Sequence, residues 1–138
     1  MSRVIEKREC KNRRQRVGKS GEDEACELLR LSGHRILERN FRLRFGELDI
    51  ISRSGDGTLV FTEVKTDRTG RAGTPEAWIT PRKQRQVAKM ATLWLSRNPQ
   101  SETQAMRFDA ICVRIRPKAT SVIHWPNAFL PQQRSGHW

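Results

Sequence analysis

The sequence predicts an α/β fold in which a mixed sheet is flanked by helices, with the element order αβββαββ. Two segments combine helical spacing of apolar residues with N-terminal capping residues. Three strand-like segments lie between these predicted helices, and two more follow the second helix. We find no internal repeat and no linker, which predicts one domain over residues 18–130.

The predicted helices are defined by their ends. Ser20 suits an N-cap, and the acids at 22–24 fill the first turn, where the helix dipole favours negative charge. Gly33 suits the C-terminal stop of this helix. A second helix is predicted over residues 81–96, because Thr80 can cap it and its apolar residues fall on one face.

The predicted strands carry β-branched and apolar residues between turn signals. They cover residues 35–41, 46–53, 58–65, 108–115 and 121–125. The glycine-containing turn 54–57 predicts a hairpin between the second and third of them. Residues 66–80 indicate a loop, since they contain two glycines and a proline.

The charge balance is strongly basic. Lys and Arg number 27 against 15 for Asp and Glu, which gives a formal net charge of +12. Such an excess attracts polyanions, so we expect a nucleic-acid partner, with DNA favoured over RNA. The alternatives are a charge that serves solubility, a ribosome-associated surface or contact with a membrane surface. No run of about 18 apolar residues and no signal-peptide pattern occurs, which predicts a cytoplasmic protein without a membrane partner.

The two ends of the sequence differ from its middle. Residues 1–17 are rich in Arg and Lys and poor in apolar residues, which predicts a flexible basic N-terminal arm. Residues 131–138 are predicted to form a loose C-terminal tail. The three cysteines, Cys10, Cys26 and Cys112, lie far apart and form no CxxC pair, so neither a disulfide nor a zinc site is expected.

Acidic and basic residues gather on two neighbouring strands. Side chains alternate along a strand, so Glu63 and Lys65 share one face, and Glu47 and Asp49 share a face of the preceding strand. Two carboxylates on adjacent strands can bind Mg²⁺ or Mn²⁺, and the backbone carbonyl of Val64 could add a ligand. Lys65 could then orient a water or offset charge on a phosphoryl group. A cross-strand salt bridge is the alternative.

Several short stretches together resemble one known family. They are 21–25 (GEDEA), 40–41 (NF), 46–51 (GELDII), 60–65 (VFTEVK), 73–75 (GTP), 81–83 (PRK), 107–109 (RFD) and 127–129 (NAF). The arrangement resembles the PD-(D/E)XK nuclease superfamily, whose restriction-endonuclease-like core is αβββαβ. Within it, the match is closest to the YraN-like bacterial proteins, which are similar to archaeal Holliday-junction resolvases.

The resemblance implies a nuclease-like domain over residues 18–130. It implies metal-binding roles for Asp49 and Glu63 and a catalytic role for Lys65. It also implies a site role for Glu22, which would otherwise be a first-turn acid that favours the helix dipole. One departure is Asp67, which stands directly after Thr66, where the family usually has an arginine.

Further basic residues stand at the start of the second predicted helix. Cations there oppose the helix dipole, so Arg82, Lys83 and Arg85 are candidates for nucleic-acid contact. An ordinary solvated basic face is the alternative. Asp109 opens a predicted strand, and we expect it to serve structure.

The leading functional hypothesis is a metal-dependent endonuclease that acts on DNA, with branched or structured DNA in repair or recombination as one substrate class. Cutting a junction symmetrically would favour a homodimer. The main alternative is a non-catalytic nucleic-acid-binding module that retains the nuclease fold. A third hypothesis is an adaptor whose basic surface docks on an acidic protein.

Overall fold

The computed structural model describes residues 20–101 and 105–131, and the backbone alone of residues 3–8. The strands are β1 (Arg3–Arg8), β2 (Arg35–Leu43), β3 (Gly46–Arg53), β4 (Leu59–Asp67), β5 (Met106–Ile115) and β6 (Ala119–Phe129). The helices are α1 (Gly21–Leu31), α2 (Pro75–Trp78) and α3 (Pro81–Arg97), and a 3₁₀ turn covers Pro99–Ser101. The predicted α/β class is confirmed, and the predicted order αβββαββ recurs from α1 to β6, with β1 before it and the short helix α2 added ahead of α3.

The described strands form one mixed sheet with the order β1-β6-β5-β4-β3-β2. β4 and β5 pair in parallel, and every other neighbouring pair is antiparallel. A parallel pair needs a crossover, and here α2 and α3 supply it between β4 and β5. Helix α1 packs on one face of the sheet, and helix α3 packs on the other.

Helix α1 begins with a capping box. Ser20 Oγ accepts a hydrogen bond from the Asp23 backbone N–H at 3.1 Å, and Asp23 Oδ2 accepts one from the Ser20 N–H at 3.1 Å. The buried face of α1 includes Leu28 and Leu29 and packs on Ile50 of β3 and on residues of β5 and β6. The cap and this apolar face fix α1 on one side of the sheet.

Helix α3 covers the opposite face. Thr80 Oγ1 accepts a hydrogen bond from the Lys83 N–H at 3.2 Å and caps the helix. Trp94 packs edge-on against Phe61 of β4, with ring centroids 6.0 Å apart, inside a cluster that also contains Leu59. Since Glu63 follows Leu59 and Phe61 at the strand period, α3 lies over the face of β4 that carries it.

The structure differs from the sequence-based predictions at three places. Residues 3–8 of the predicted flexible arm form strand β1, which pairs with β6. The rest of that arm and residues 132–138 of the predicted tail lie outside the described residues. Helix α2 interrupts the predicted loop 66–80, and β6 is longer than the predicted 121–125. Within the described residues, no helix is long and apolar enough to cross a membrane.

The first residue of α1 packs tightly on β4. A Cβ atom at Gly21 would lie 2.0 Å from Thr66 Oγ1 and 3.2 Å from Thr66 Cβ, so Gly21→Ala forces helix and strand apart. We expect this substitution to lower the free energy of unfolding by about 1–3 kcal/mol, measured by urea denaturation. Gly55→Ala is the control, because its nearest neighbour would be the Gly33 carbonyl at 3.8 Å. Equal stability of the two variants would contradict this packing.

Candidate functional site

Strands β3 and β4 separate just where the predicted acidic residues lie. Their pairing runs from Arg53 and Leu59 to Ile50 and Thr62 and goes no further. The next residue of β3 is Asp49, and its Oδ2 accepts a hydrogen bond from the Val64 N–H at 2.8 Å. The Asp49 carboxylate thus accepts the hydrogen bond that a backbone carbonyl of β3 would accept in a continuous pairing. This bond holds the carboxylate beside Glu63.

Glu63 is a buried carboxylate that has one partial partner in the part of the chain that the structure describes. Its side chain is 8% exposed, and its Oε2 lies 3.5 Å from Lys83 Nζ at the start of α3. Within the described residues, its Oε1 is buried and accepts no hydrogen bond. Such an oxygen is costly in a folded protein unless a ligand or water completes it.

The electrostatics of this acid pair disfavour two negative charges. Burial and, next to it, the neighbouring charge of Asp49 together raise the pKa of Glu63 to about 8, against the opposing effect of Lys83. Burial likewise raises the pKa of Asp49 to about 6, although the Val64 N–H opposes this shift. A bound cation would relieve both effects, because it favours the ionised form of each carboxyl group.

Glu22 stands in the first turn of α1 and is held there by residues of β2. Its Oε1 accepts hydrogen bonds from Asn40 Nδ2 at 2.8 Å and from Arg39 Nε at 3.1 Å. Its charge contributes to the raised pKa of Asp49. Glu22 thus acts electrostatically on Asp49, although within the described residues the three acids Glu22, Asp49 and Glu63 do not form a group arranged to hold a metal ion.

The backbone conformation of Asn40 explains why its two neighbours in β2 place their side chains on opposite faces of the sheet. Its φ of 54° lies in the left-handed region, which Asn adopts more readily than most residues. Along a regular strand, Arg39 and Phe41 would share a face. Here Arg39 contacts the acids of α1, whereas Phe41 packs in the cluster under α3. This turn of the backbone places the Asn40 side chain against Glu22.

Lys65 follows Glu63 at the strand period and is exposed. It lines a surface pocket together with Arg68 and Arg71. Asp67, the departure from the family pattern, is buried beneath that pocket, and its carboxylate accepts hydrogen bonds from the N–H groups of residues 69, 70 and 72. Those bonds outweigh the effect of burial and lower the pKa of Asp67 to about 2. Asp67 thus organises the loop that presents Arg68.

The three predicted nucleic-acid contacts on α3 have different surroundings. Arg82 is exposed and Arg85 is half-buried. Lys83 faces Glu63, so it belongs to the acidic site as well as to the basic end of the helix. Sequence reasoning missed this contact with Glu63; the available signal was a cation in the first turn of a helix, which the dipole disfavours.

The potential metal donors are few. Within the described residues, no group of three or more His, Cys, Asp or Glu side chains is arranged to hold a metal ion. Asp49 and Glu63 offer two carboxylates, and the Val64 carbonyl is the third predicted donor. Two carboxylates suffice for Mg²⁺, which keeps several of its waters when it binds proteins.

The fold and the site together define a class of protein. It is an α/β protein with a mixed sheet, in which a buried and a half-buried carboxylate, Glu63 and Asp49, lie where two strands separate. The chain belongs to the uncharacterised protein family UPF0102, whose family model matches residues 21–113. This confirms the resemblance to the YraN-like bacterial proteins. The chain is 48% identical to a UPF0102 protein of Pelobacter propionicus over 82% of this chain and 81% of that protein. It is 47% identical to one of Geobacter sulfurreducens over 82% and 88%, respectively.

Two solved structures show a weaker likeness. An EndoMS-dsDNA2 complex matches with a TM-score of 0.36 and 20% identity over 64% of this chain and 34% of that chain. SfsA of Pyrococcus furiosus in complex with Ca²⁺ matches with a TM-score of 0.33 and 14% identity over 75% of this chain and 58% of that chain. This chain thus spans about a third of the first protein and somewhat more than half of the second.

Proposed function

We propose that this protein is a metal-dependent endonuclease that acts on DNA, with Mg²⁺ or Mn²⁺ as its cofactor. The observation that carries the proposal is Glu63 Oε1, which is buried beside the carboxylate of Asp49 and has no hydrogen-bond partner among the described residues. Such an oxygen needs a partner, which a bound cation or a water can supply. Lys83 alone does not satisfy the site, since it reaches only the other oxygen of Glu63.

These residues fit a hard divalent cation. Asp49, Glu63 and the Val64 carbonyl would hold it through oxygen atoms, which are the ligands that Mg²⁺ and Mn²⁺ prefer. When bound, such an ion supplies Lewis-acid stabilisation of a phosphoryl oxygen and lowers the pKa of a water. The chain's own contribution is the position of the acids, which the Val64 N–H fixes through Asp49.

Lys65 and Glu22 are the proposed partners of the acid pair. Lys65 carries an exposed ammonium group on the same face of β4 as Glu63, where it can orient the attacking water or offset charge in the transition state. Glu22 is held at the edge of the site by Asn40 and Arg39. In this position it can accept a hydrogen bond from a water near Asp49.

The basic residues around the acids suit a nucleic-acid substrate. The net charge of +12 favours a polyanion, and Arg82, Lys83 and Arg85 place cations at the end of α3 nearest to Glu63. We propose that these residues contact phosphates of DNA, and that cutting of branched DNA in repair or recombination would use a homodimer.

A non-catalytic binding module is the second candidate, since the same basic surface supports it. Incubation of the protein with labelled duplex, single-stranded and four-way-junction DNA separates the two, with Mg²⁺, Mn²⁺ or EDTA present. Metal-dependent cuts support the endonuclease. Binding that weakens steeply with salt, without cuts under any condition, supports the module. No binding at moderate salt supports an adaptor for an acidic protein.

The metal site gives a prediction that does not depend on turnover. Glu63→Gln removes one carboxylate, so we expect its affinity for Mn²⁺ to fall at least about tenfold in isothermal titration calorimetry. The metal-free variant should melt no lower than the wild type, because a buried charge is replaced by a neutral amide. Glu76→Gln is the matched control, since Glu76 is exposed on α2. Unchanged Mn²⁺ binding by Glu63→Gln would rule out this donor set.

A further inference from the structure

A second feature adjoins the acid pair. A pocket of about 410 Å³ lies between the turn that joins β2 to β3 and the first two turns of α3. Its lining includes Arg42, Arg44, Phe45, Lys83 and Gln86. Pockets that hold small organic groups have volumes in this range. Because Lys83 also contacts Glu63, the pocket adjoins the candidate metal site.

The aromatic wall of this pocket is Phe45, which is 54% exposed at the tip of the hairpin. Lys89 Nζ lies over one face of its ring, 4.2 Å from the ring centre, so the opposite face is the one open to a base; Arg44 beside it is exposed. An exposed phenyl ring among cations is the combination with which proteins stack bases and neutralise the adjoining phosphates.

The phenyl ring of Phe45 is exposed, but the backbone of this residue is held in place. Gln86 Nε2 donates a hydrogen bond to the Phe45 carbonyl oxygen at 2.8 Å. The next residue, Gly46, has a φ of 153°, and a Cβ atom there would lie 2.7 Å from Gln86 Nε2. The hairpin tip is therefore clamped onto α3, which reduces the ordering that ligand binding would cost.

We propose that Phe45 stacks on an unpaired base of the substrate, next to the phosphodiester that lies at the acid pair. This inference rests on the proposed function and specifies its substrate class as nucleic acid with an unpaired nucleotide at the cutting site. A base inside a duplex is already stacked on both faces and must leave the helix before a side chain can stack on it. Arg44 and Lys83 are placed to contact the phosphates on either side of that nucleotide.

The test measures binding in EDTA, so that cleavage plays no part. Fluorescence anisotropy compares a labelled single strand with a blunt duplex of the same sequence, for wild type, Phe45→Ala and Phe45→Trp. Loss of one stacked base should weaken single-strand binding by Phe45→Ala about tenfold. Duplex binding should stay within about twofold, because phosphate contacts dominate it. Phe45→Trp should retain the affinity of the wild type.

A matched control and a direct readout complete the test. Leu31→Ala removes an exposed apolar side chain on α1, 72% exposed, and should leave both affinities unchanged. A 2-aminopurine in the single strand should be quenched by the wild type and much less by Phe45→Ala. The inference is overturned if Phe45→Ala binds the single strand as the wild type does, or weakens both substrates equally. Failure of the nuclease proposal would instead appear as absent cuts or absent Mn²⁺ binding.

Discussion

Asp49→Asn is expected to reduce metal-dependent cleavage of DNA on the order of 10²–10³-fold or more, because it removes one of the two charged oxygen donors. The amide oxygen of asparagine can still accept the hydrogen bond from the Val64 N–H, which the wild type makes at 2.8 Å. The local strand geometry should therefore survive. DNA binding should persist, since phosphate contacts come from the basic residues. Gel assays of cleavage and binding on the same preparations measure both.

Two comparisons make this result specific. Glu76→Gln, which changes an exposed carboxylate on α2, should cut DNA at the wild-type rate. Lys65→Ala should lose cleavage but keep Mn²⁺ binding, since the ammonium group is not a metal ligand. Cleavage by Asp49→Asn at the rate of the wild type would mean that the cuts arise elsewhere.

Asp109→Ala is expected to lower the free energy of unfolding by about 3–5 kcal/mol, because it leaves charged and polar partners buried without an acceptor. Asp109 is fully buried, and its carboxylate accepts hydrogen bonds from Arg107 Nε at 3.0 Å and from the Asn127 N–H at 3.0 Å. His124 Nε2 lies 2.7 Å from its other oxygen. Urea denaturation at neutral pH measures the effect, and Asp56→Ala in an exposed turn is the control, with a much smaller expected loss because solvent screens and can replace its interactions.

The same carboxylate predicts a pH dependence. Burial alone would raise the pKa of Asp109, but the hydrogen bonds from His124, Arg107 and Asn127 outweigh it and leave the pKa below its usual value. A folded pKa below the unfolded value of about 3.9 means that the stabilisation is present above that pH and is lost as pH falls through the folded pKa. The difference in stability between wild type and Asp109→Ala should therefore shrink below about pH 4.

His34 adds a further acid sensitivity to the wild type and to Asp109→Ala. Burial lowers its pKa, and Arg107 lowers it further. The sensitivity is larger in the variant, because the charge of Asp109 raises the pKa of His34 in the wild type against these two effects. A histidine with a lowered folded pKa stabilises the neutral form, so stability falls as pH drops below its unfolded pKa of about 6.5. The role assigned to Asp109 would be contradicted if the difference in the free energy of unfolding between wild type and Asp109→Ala stayed constant down to strongly acidic pH.

Local signals in the sequence predicted much of this fold. The caps Ser20 and Thr80 mark where α1 and α3 begin. Alternation placed Glu63 on the face of Leu59 and Phe61, and both of these pack in the cluster under α3. Asp109 was expected to serve structure, and it is the centre of a buried hydrogen-bonded network.

Features that depend on distant parts of the chain could not be predicted in the same way. β1 exists through its pairing with β6, and its sequence has no clear alternation. β3 separates from β4 at Asp49, and the backbone of Asn40 in β2 is left-handed. Neither feature produces a recognisable pattern of apolar and polar residues in the sequence. The contact between Lys83 and Glu63 joins a helix and a strand and became visible only in three dimensions.

The most direct test of the central claim is a crystal of this protein soaked with Mn²⁺, with data collected for the anomalous signal of manganese. We expect one strong peak about 2 Å from carboxylate oxygens of both Asp49 and Glu63, with waters completing the coordination. Glu63 Oε1, which is unpartnered in the described residues, should be one of the ligands. Absence of a peak at this site, with Glu63 still facing Lys83 at saturating Mn²⁺, would contradict the proposal of a metal-dependent nuclease.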